Sequence, residues 1–218
     1  MPELLLVGAG GLAREVLSLL RTQSDPRTVL FVDDDPALWG TTLDGVMVTG
    51  GIDTVTEHAL SQVLLCVGHG SGRARIASRL ADLGVAVERY ATVIHHSVEV
   101  PASCTVGAGS IVLAGAVLTT NVHLGNHVVV MPHVTLTHGT SVSSFATLCA
   151  GVSLGGDVRV GVGAYLGMNC SVRQGVQIGD GATVGMAAAV LTDVPDHDTW
   201  IGVPAAPMSL TMKARVSP

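Results

Sequence analysis

From Val100 to Val190 an aliphatic residue recurs at every sixth position: Val100, Val106, Val112, Leu118, Leu124, Val130, Leu136, Val142, Leu148, Leu154, Val160, Leu166, Val172, Ile178, Val184 and Val190. Two residues before each stands a small or β-branched one, as at Ser110, Ala116, Val134, Thr140 and Cys170. Glycine often follows the aliphatic residue, as at Gly107, Gly125, Gly155, Gly161, Gly167, Gly179 and Gly185. A helix would repeat at about 3.6 residues and an open-sheet strand at about 2. A period of six with glycine at one phase predicts a hexapeptide β-helix, in which a very short strand alternates with a corner. The aliphatic residue fills the interior and the small one fits the tight corner. Glycine is favoured where the backbone needs a positive φ or comes close to another segment. Each coil stacks only on its neighbours, so the core is continuous.

Residues 1–90 lack this period and alternate strand-like with helix-like segments. Leu4–Val7 and Val29–Val32 read as strands, with a helical pattern of Leu12, Val16, Leu19 and Leu20 between them. Val63–Val67 reads as a third strand, followed by a helix with Ile76, Leu80 and Leu83 on one face. That alternation predicts a small parallel α/β domain. Ile94 is already in phase with the column of sixes, so the boundary falls near residue 90 with almost no linker. The reading is therefore an α/β domain over 1–90, a β-helix over 91–205 and a tail over 206–218. Pro195 and Pro204 stop the coil; an exposed last coil needs a cap.

Composition narrows the function classes. The net charge of −6 argues against a nucleic-acid or anionic-membrane surface. Between residues 101 and 190 the only formal charges are Asp157, Arg159, Arg173 and Asp180, which suggests that other subunits cover part of that surface. Met1-Pro2-Glu3 leads straight into an apolar run without a basic segment or cleavage site, and is read as the approach to a buried strand. No 18-residue apolar run predicts a spanning helix. Cys66, Cys104, Cys149 and Cys170 form no Cys-x-x-Cys pair, and reduced thiols in a cytoplasmic protein are expected.

The first βα turn carries G-x-G-x-x-[GA] in Gly8, Gly10 and Ala13, with Asp33 about 20 residues beyond. Such glycines let a phosphate approach backbone N–H groups at a helix start. A tight turn without a ligand is the plainer alternative. A nicotinamide site is disfavoured, since about 90 residues is half the usual two-unit dinucleotide fold and no domain follows to hold a hydride acceptor.

Three pieces together carry a family resemblance: the Gly8–Ala13 loop with Asp33-Asp34, the hexads with a central histidine, and the closing Asp193-Val194-Pro195 and Gly202-Val203-Pro204-Ala205. The chain resembles, over residues 4–208, the left-handed β-helix acyltransferases of the sialic acid O-acetyltransferase and nucleotide-linked amino-sugar N-acetyltransferase family. The resemblance implies a left-handed coil of three hexads, about five coils in all, and a homotrimer with acetyl-CoA between neighbouring β-helices. It implies a sugar nucleotide on the α/β domain, with Gly10, Gly11 and Leu12 at the phosphates, Asp33 and Asp34 at the base or ribose, and Gly68 in the same pocket. Leu12 stands where relatives often carry histidine. His138 is implied as the general base that takes the proton of an attacking amine or hydroxyl. Gly156, one coil on, is expected to leave open space beside its ring. Thr147, Gly167, Met168, Gly185 and Met186 match positions that line the cofactor, and Lys213 or Arg215 could meet a CoA phosphate. Relatives usually place an acid directly after the histidine, but Gly139 stands here. A neutral group, a backbone carbonyl or Ser141, is the favoured orienter, with an acid reaching in from elsewhere as another reading. His123, His127 and His133 are expected to form a polar wall or to bond across the trimer.

The activity that follows is N-acetylation of an amino sugar on a nucleotide carrier, with O-acetylation of a sugar hydroxyl or non-catalytic sugar-nucleotide binding as alternatives. His133 and His138 also have the H-x₄-H spacing of a zinc-dependent carbonic anhydrase on the same fold. The third ligand would fall near Ser97, and a zinc site needs its full ligand set. No metal is expected.

Overall fold

The computed structural model describes residues 3–208. Strand β1 (Glu3–Val7) lies between β2 (Thr28–Val32) and the strand Gln62–Leu65, both parallel to it. Helices α1 (Gly11–Thr22) and α2 (Gly70–Asp82) follow the first and third of these strands. Leu4, Leu5, Leu6 and Val7 are wholly buried, as a strand covered on both faces must be. Leu4 and Leu6 cluster with Val16 and Leu20 of α1, while Leu5 and Val7 cluster with Leu80 of α2. Leu83, expected on the buried face of α2, lies just past its end and is 43% exposed. With β1 in the middle, strand order reverses there and opens a crevice at the strands' C-terminal ends.

From Val93 the chain winds into a three-sided parallel β-helix built mostly of two-residue strands. Five strands form the first face, Thr105–Val106 to Gln177–Ile178, and five form the third, Val117–Leu118 to Ala189–Val190. The second face runs from Val93–Ile94 to Thr199–Ile201. Ala206–Pro207, assigned to the tail by the sequence reading, pairs antiparallel with that last strand. Residues 209–218, with Lys213 and Arg215, lie outside the described residues.

Partners in successive coils are eighteen residues apart, as Thr135 is from Ser153. Val112, Val130, Leu136 and Leu148 are fully buried in one cluster that continues to Val194. Val100 departs from the column and is 38% exposed, because the third face begins only at Val117. The glycines after the column are selected by close approach: a Cβ on Gly167 would come within 2.6 Å of the Met186 nitrogen. Positive φ belongs to another corner phase, exemplified by Gly139 at 70°.

The α/β domain covers the second face. Ile111, Leu113 and Val129 join the cluster that contains Leu4, Leu6 and α1. Arg73 of α2 is fully buried there and donates to the carbonyls of Val67, Gly68, His127, Phe145 and Ala146 and to the Thr147 hydroxyl. All these acceptors are neutral, and burial lowers the Arg73 pKa to about 10. His127, far from forming a polar wall, is buried at this joint. Its ring stacks on Phe145 at 5.1 Å and meets Tyr90 edge-on at 4.5 Å. Burial, and then the Arg73 charge, pushes its pKa down to about 4.

Candidate active site

His138 falls in the corner after Thr135–Leu136, between the third and first faces. In a three-sided coil this corner stands opposite the second face, and therefore opposite the α/β domain. Its side chain is 56% exposed. The imidazole lies over Gly156, where a Cβ would collide with its Cε1 and Nε2. The space expected beside the ring is thus occupied by the ring itself. His138 Nδ1 stands 3.8 Å from Asp157 Oδ2. That carboxylate lies over Gly139, whose Cβ would collide with Asp157 Oδ1. A carboxylate from the next coil therefore stands near the imidazole, 3.8 Å from its Nδ1. The sequence reading favours a neutral orienter and leaves open an acid from elsewhere.

The other histidines lie elsewhere. His123 is exposed on the first face, its Nδ1 3.0 Å from the Thr105 hydroxyl. His133 sits over Gly115 at the corner between the second and third faces, so His133 and His138 do not converge. Among the described residues no three or more His, Cys, Asp or Glu side chains are grouped to hold a metal ion.

On the α/β side, Gly10 caps α1 with extended backbone, and nothing lies within 4 Å of a Cβ on Gly10 or Gly11. Open space in front of a helix start suits a phosphate. Leu12 is half-buried, its side chain packing in part against the core. Asp33 accepts from the N–H groups of Ala9 at 2.8 Å and Asp35 at 2.9 Å, so its carboxylate shapes the loop. Asp34 pairs with Arg79 at 2.6 Å and accepts from the Ile52 N–H at 3.1 Å. A cavity of about 420 Å³ is lined here by Gly8, Asp33, Asp34, Val67, Arg75 and Arg79. Arg75 and Arg79 went unnoticed in the sequence, although two arginines four apart on one helix were the signal for them. Gly68 is tied to the domain joint, its carbonyl accepting from Arg73 at 2.9 Å and from the Thr147 hydroxyl at 2.8 Å.

Residues 3–80 match the family described as PglD N-terminal domain, and residues 157–191 match the hexapeptide repeat of succinyl-transferase. The chain is 31% identical over 120 residues to the UDP-N-acetylbacillosamine N-acetyltransferase of Bacillus subtilis (strain 168), a match that spans 52% of each protein. Matches of wider coverage come from solved structures. The acetyltransferase domain of PglB from Neisseria gonorrhoeae FA1090, in complex with acetyl coenzyme A, has a TM-score of 0.86 and 28% identity, over 94% of this chain and 98% of that one. PerB from Caulobacter crescentus, in complex with CoA and GDP-perosamine, has a TM-score of 0.86 and 29% identity, over 96% and 98%. The chain is thus similar in its α/β region to the PglD N-terminal domain, in part of its coil to hexapeptide-repeat transferases, and over nearly its whole length to solved acetyltransferase structures.

The three-sided parallel coil is consistent with the left-handed β-helix that the resemblance implied. In this chain the positions that the resemblance matched to the cofactor divide into two groups. Thr147 is buried at the joint, its N–H donating to Ala164 and its hydroxyl to Gly68. Met168 and Met186 project from the corner between the second and third faces, 52% and 76% exposed. Gly167 and Gly185 beside them let successive coils approach. Met168 and His138 thus stand at opposite edges of the third face, and one protomer does not bring them together. Met168 also borders a cavity of about 660 Å³ with Glu15 and Leu19 of α1, Met131, Cys149 and Tyr165.

Proposed function

We propose that the chain is an acetyl-CoA-dependent N-acetyltransferase acting on the amino group of a nucleotide-linked amino sugar. His138 is the general base, in a groove between protomers of a homotrimer. The observation that carries this reading is the exposed His138 imidazole with a carboxylate at its Nδ1. Of the relatives, the PglB domain binds acetyl-CoA, and PerB binds CoA with GDP-perosamine. The open start of α1 and the arginines of the neighbouring cavity suit the phosphates of a nucleotide carrier.

The chemistry follows from the imidazole. The sugar amine attacks the thioester carbonyl, a C–N bond forms, and the ammonium proton passes to His138 Nε2. The tetrahedral intermediate then collapses, the C–S bond breaks, and the thiolate leaves as the imidazolium returns a proton to it. An imidazole, with an ordinary pKa of about 6.5, can do both near neutrality.

Geometry also favours the oligomer. His138 faces away from the α/β domain of its own protomer, so a sugar held by that domain would meet the histidine of a neighbour. Val117, Met168, Met186 and Leu191 are exposed apolar groups on the third face and its corners, which a neighbour would cover. A cytoplasmic location is in keeping with four free cysteines. Among the described residues no helix is long and apolar enough to cross a membrane.

Thiol release from acetyl-CoA with a panel of nucleotide-linked amino sugars, GDP-perosamine included, tests the reaction. His138→Ala is expected to lower kcat by roughly 10²-fold or more while acetyl-CoA affinity holds. A loss below about threefold moves the base elsewhere. Light scattering should give about three times 22.2 kDa; a monomer removes the shared groove.

A further inference from the structure

We propose that Asp157 is the positioning residue of His138, a carboxylate delivered from the next coil to hold the imidazole in the tautomer that leaves Nε2 free to accept a proton. The inference rests on His138 being the base.

Four observations carry it. First, the Asp157 Oδ2 to His138 Nδ1 distance is 3.8 Å, longer than a hydrogen bond and within ion-pair range of a protonated imidazole. Such contacts are often long in a ligand-free site and tighten when substrate binds. Second, Asp157 fills the space a side chain at 139 would take, since a Cβ on Gly139 would collide with its Oδ1. The glycine is what admits the carboxylate. Third, the corner alone does not call for a charge. Asp157 has φ 57°, and the same left-handed corner conformation is met elsewhere in the described coils by Asn121, His127, His133, Phe145, Asn169, Ala187 and His197. Asp157 is the only carboxylate in that set. Fourth, residues 101–190 carry four formal charges in all, and one of them stands beside this histidine.

Nothing else charged is stacked directly on the ring. The corner below holds Thr120, whose carbonyl accepts from Gly139, and the corner above holds Gly156, whose carbonyl accepts from Gly175. Arg173 comes only two coils on, in register with Thr137 and Gly155 rather than with His138. With Asp157 at Nδ1, that nitrogen keeps its hydrogen and Nε2 carries the lone pair that accepts the amine proton. The carboxylate then faces the imidazolium that forms, the logic of a carboxylate behind a catalytic histidine.

The test exploits the shared space. With acetyl-CoA and the nucleotide-linked amino sugar turned over fastest in the panel, Asp157→Asn is expected to lower kcat about tenfold or more and to leave the acetyl-CoA KM within about twofold. Asp157→Gly should behave likewise. Moving the acid back, in the double variant Asp157→Gly with Gly139→Asp, should restore kcat to within about threefold of wild type, because both positions have a left-handed φ that Gly and Asp tolerate. A structural role for Asp157 predicts no such rescue, and failure of the double variant to recover activity overturns the inference. So does an Asp157→Asn enzyme with near wild-type kcat, provided His138→Ala is inactive; the base assignment then stands. An active His138→Ala enzyme removes the base assignment itself. Thermal melts of each variant separate lost positioning from lost folding.

Discussion

Asp33 and Asp34 of the α/β domain are engaged by neighbours in their own domain, Ala9, Asp35, Ile52 and Arg79, whereas His138 of the β-helix stands 56% exposed with one carboxylate 3.8 Å from its Nδ1. The contrast follows from how each region is built. The α/β domain has one short three-stranded sheet and must shape its crevice with side chains, so its acids bend loops into place. The β-helix sets a rigid backbone by repetition, with a paired strand every six residues. Its corners can then present a side chain that carries no structural duty. Polar groups spent on architecture mark the first region, and groups left over for chemistry mark the second.

The joint between them is the sharpest place to break this comparison. Arg73→Met removes the six hydrogen bonds that the guanidinium donates to five carbonyls and a hydroxyl in the joint, and should destabilise the protein by about 4 kcal/mol, measured by denaturant unfolding. An unchanged midpoint would mean that the two regions do not depend on each other. Next comes the repetitive core. Leu136 is fully buried, and Leu136→Ala should cost about 3 kcal/mol. It is also expected to lower activity by loosening the strand that leads to His138. A protein destabilised to that degree with unchanged kcat would show that the corner holds without its strand.

The smallest of the three effects is set by pH. Burial holds the His127 pKa at about 4 in the folded protein against about 6.5 for the free side chain. A base whose folded pKa is depressed favours folding while it is neutral. Its stability contribution is therefore complete above about pH 6.5 and is lost as pH falls toward 4. At pH 5 the loss should be about 2 kcal/mol relative to pH 7.5. His127→Phe should flatten that part of the stability–pH curve, and an unaltered slope would mean that the ring is not the titrating group.

How much of this was legible in the sequence depended on repetition. The column of sixes gave the coil and its interior, because a period survives any uncertainty about a single residue. It failed at Val100, where the pattern starts before the third face does. His138 was singled out by the family resemblance, through the match at Thr135-Leu136-Thr137-His138, and the period only placed it at a corner. Asp157 is distant from His138 in sequence, and only the stacking of parallel coils makes the residue eighteen positions on from Gly139 its spatial neighbour. Thr147, Arg73 and His127 meet across the domain joint, and no local pattern reports which face of the coil is covered. Leu12 and Asp33 were assigned to a ligand by the resemblance; the half-buried leucine packs in part against the core, and the acid both binds its own loop and lines the neighbouring cavity.

The Gly139–Asp157 stack also constrains descent. Two side chains compete for one volume at that corner, so acids at both positions require the Asp157 carboxylate to move aside, and a stepwise exchange that avoids this passes through an intermediate with neither acid. Among relatives, the identities of residues separated by one coil at this corner should therefore covary, with an acid at either position and a small residue at its counterpart. A phylogeny would record such exchanges as paired events on single branches, and ancestors with neither acid should be the poor catalysts of the tree.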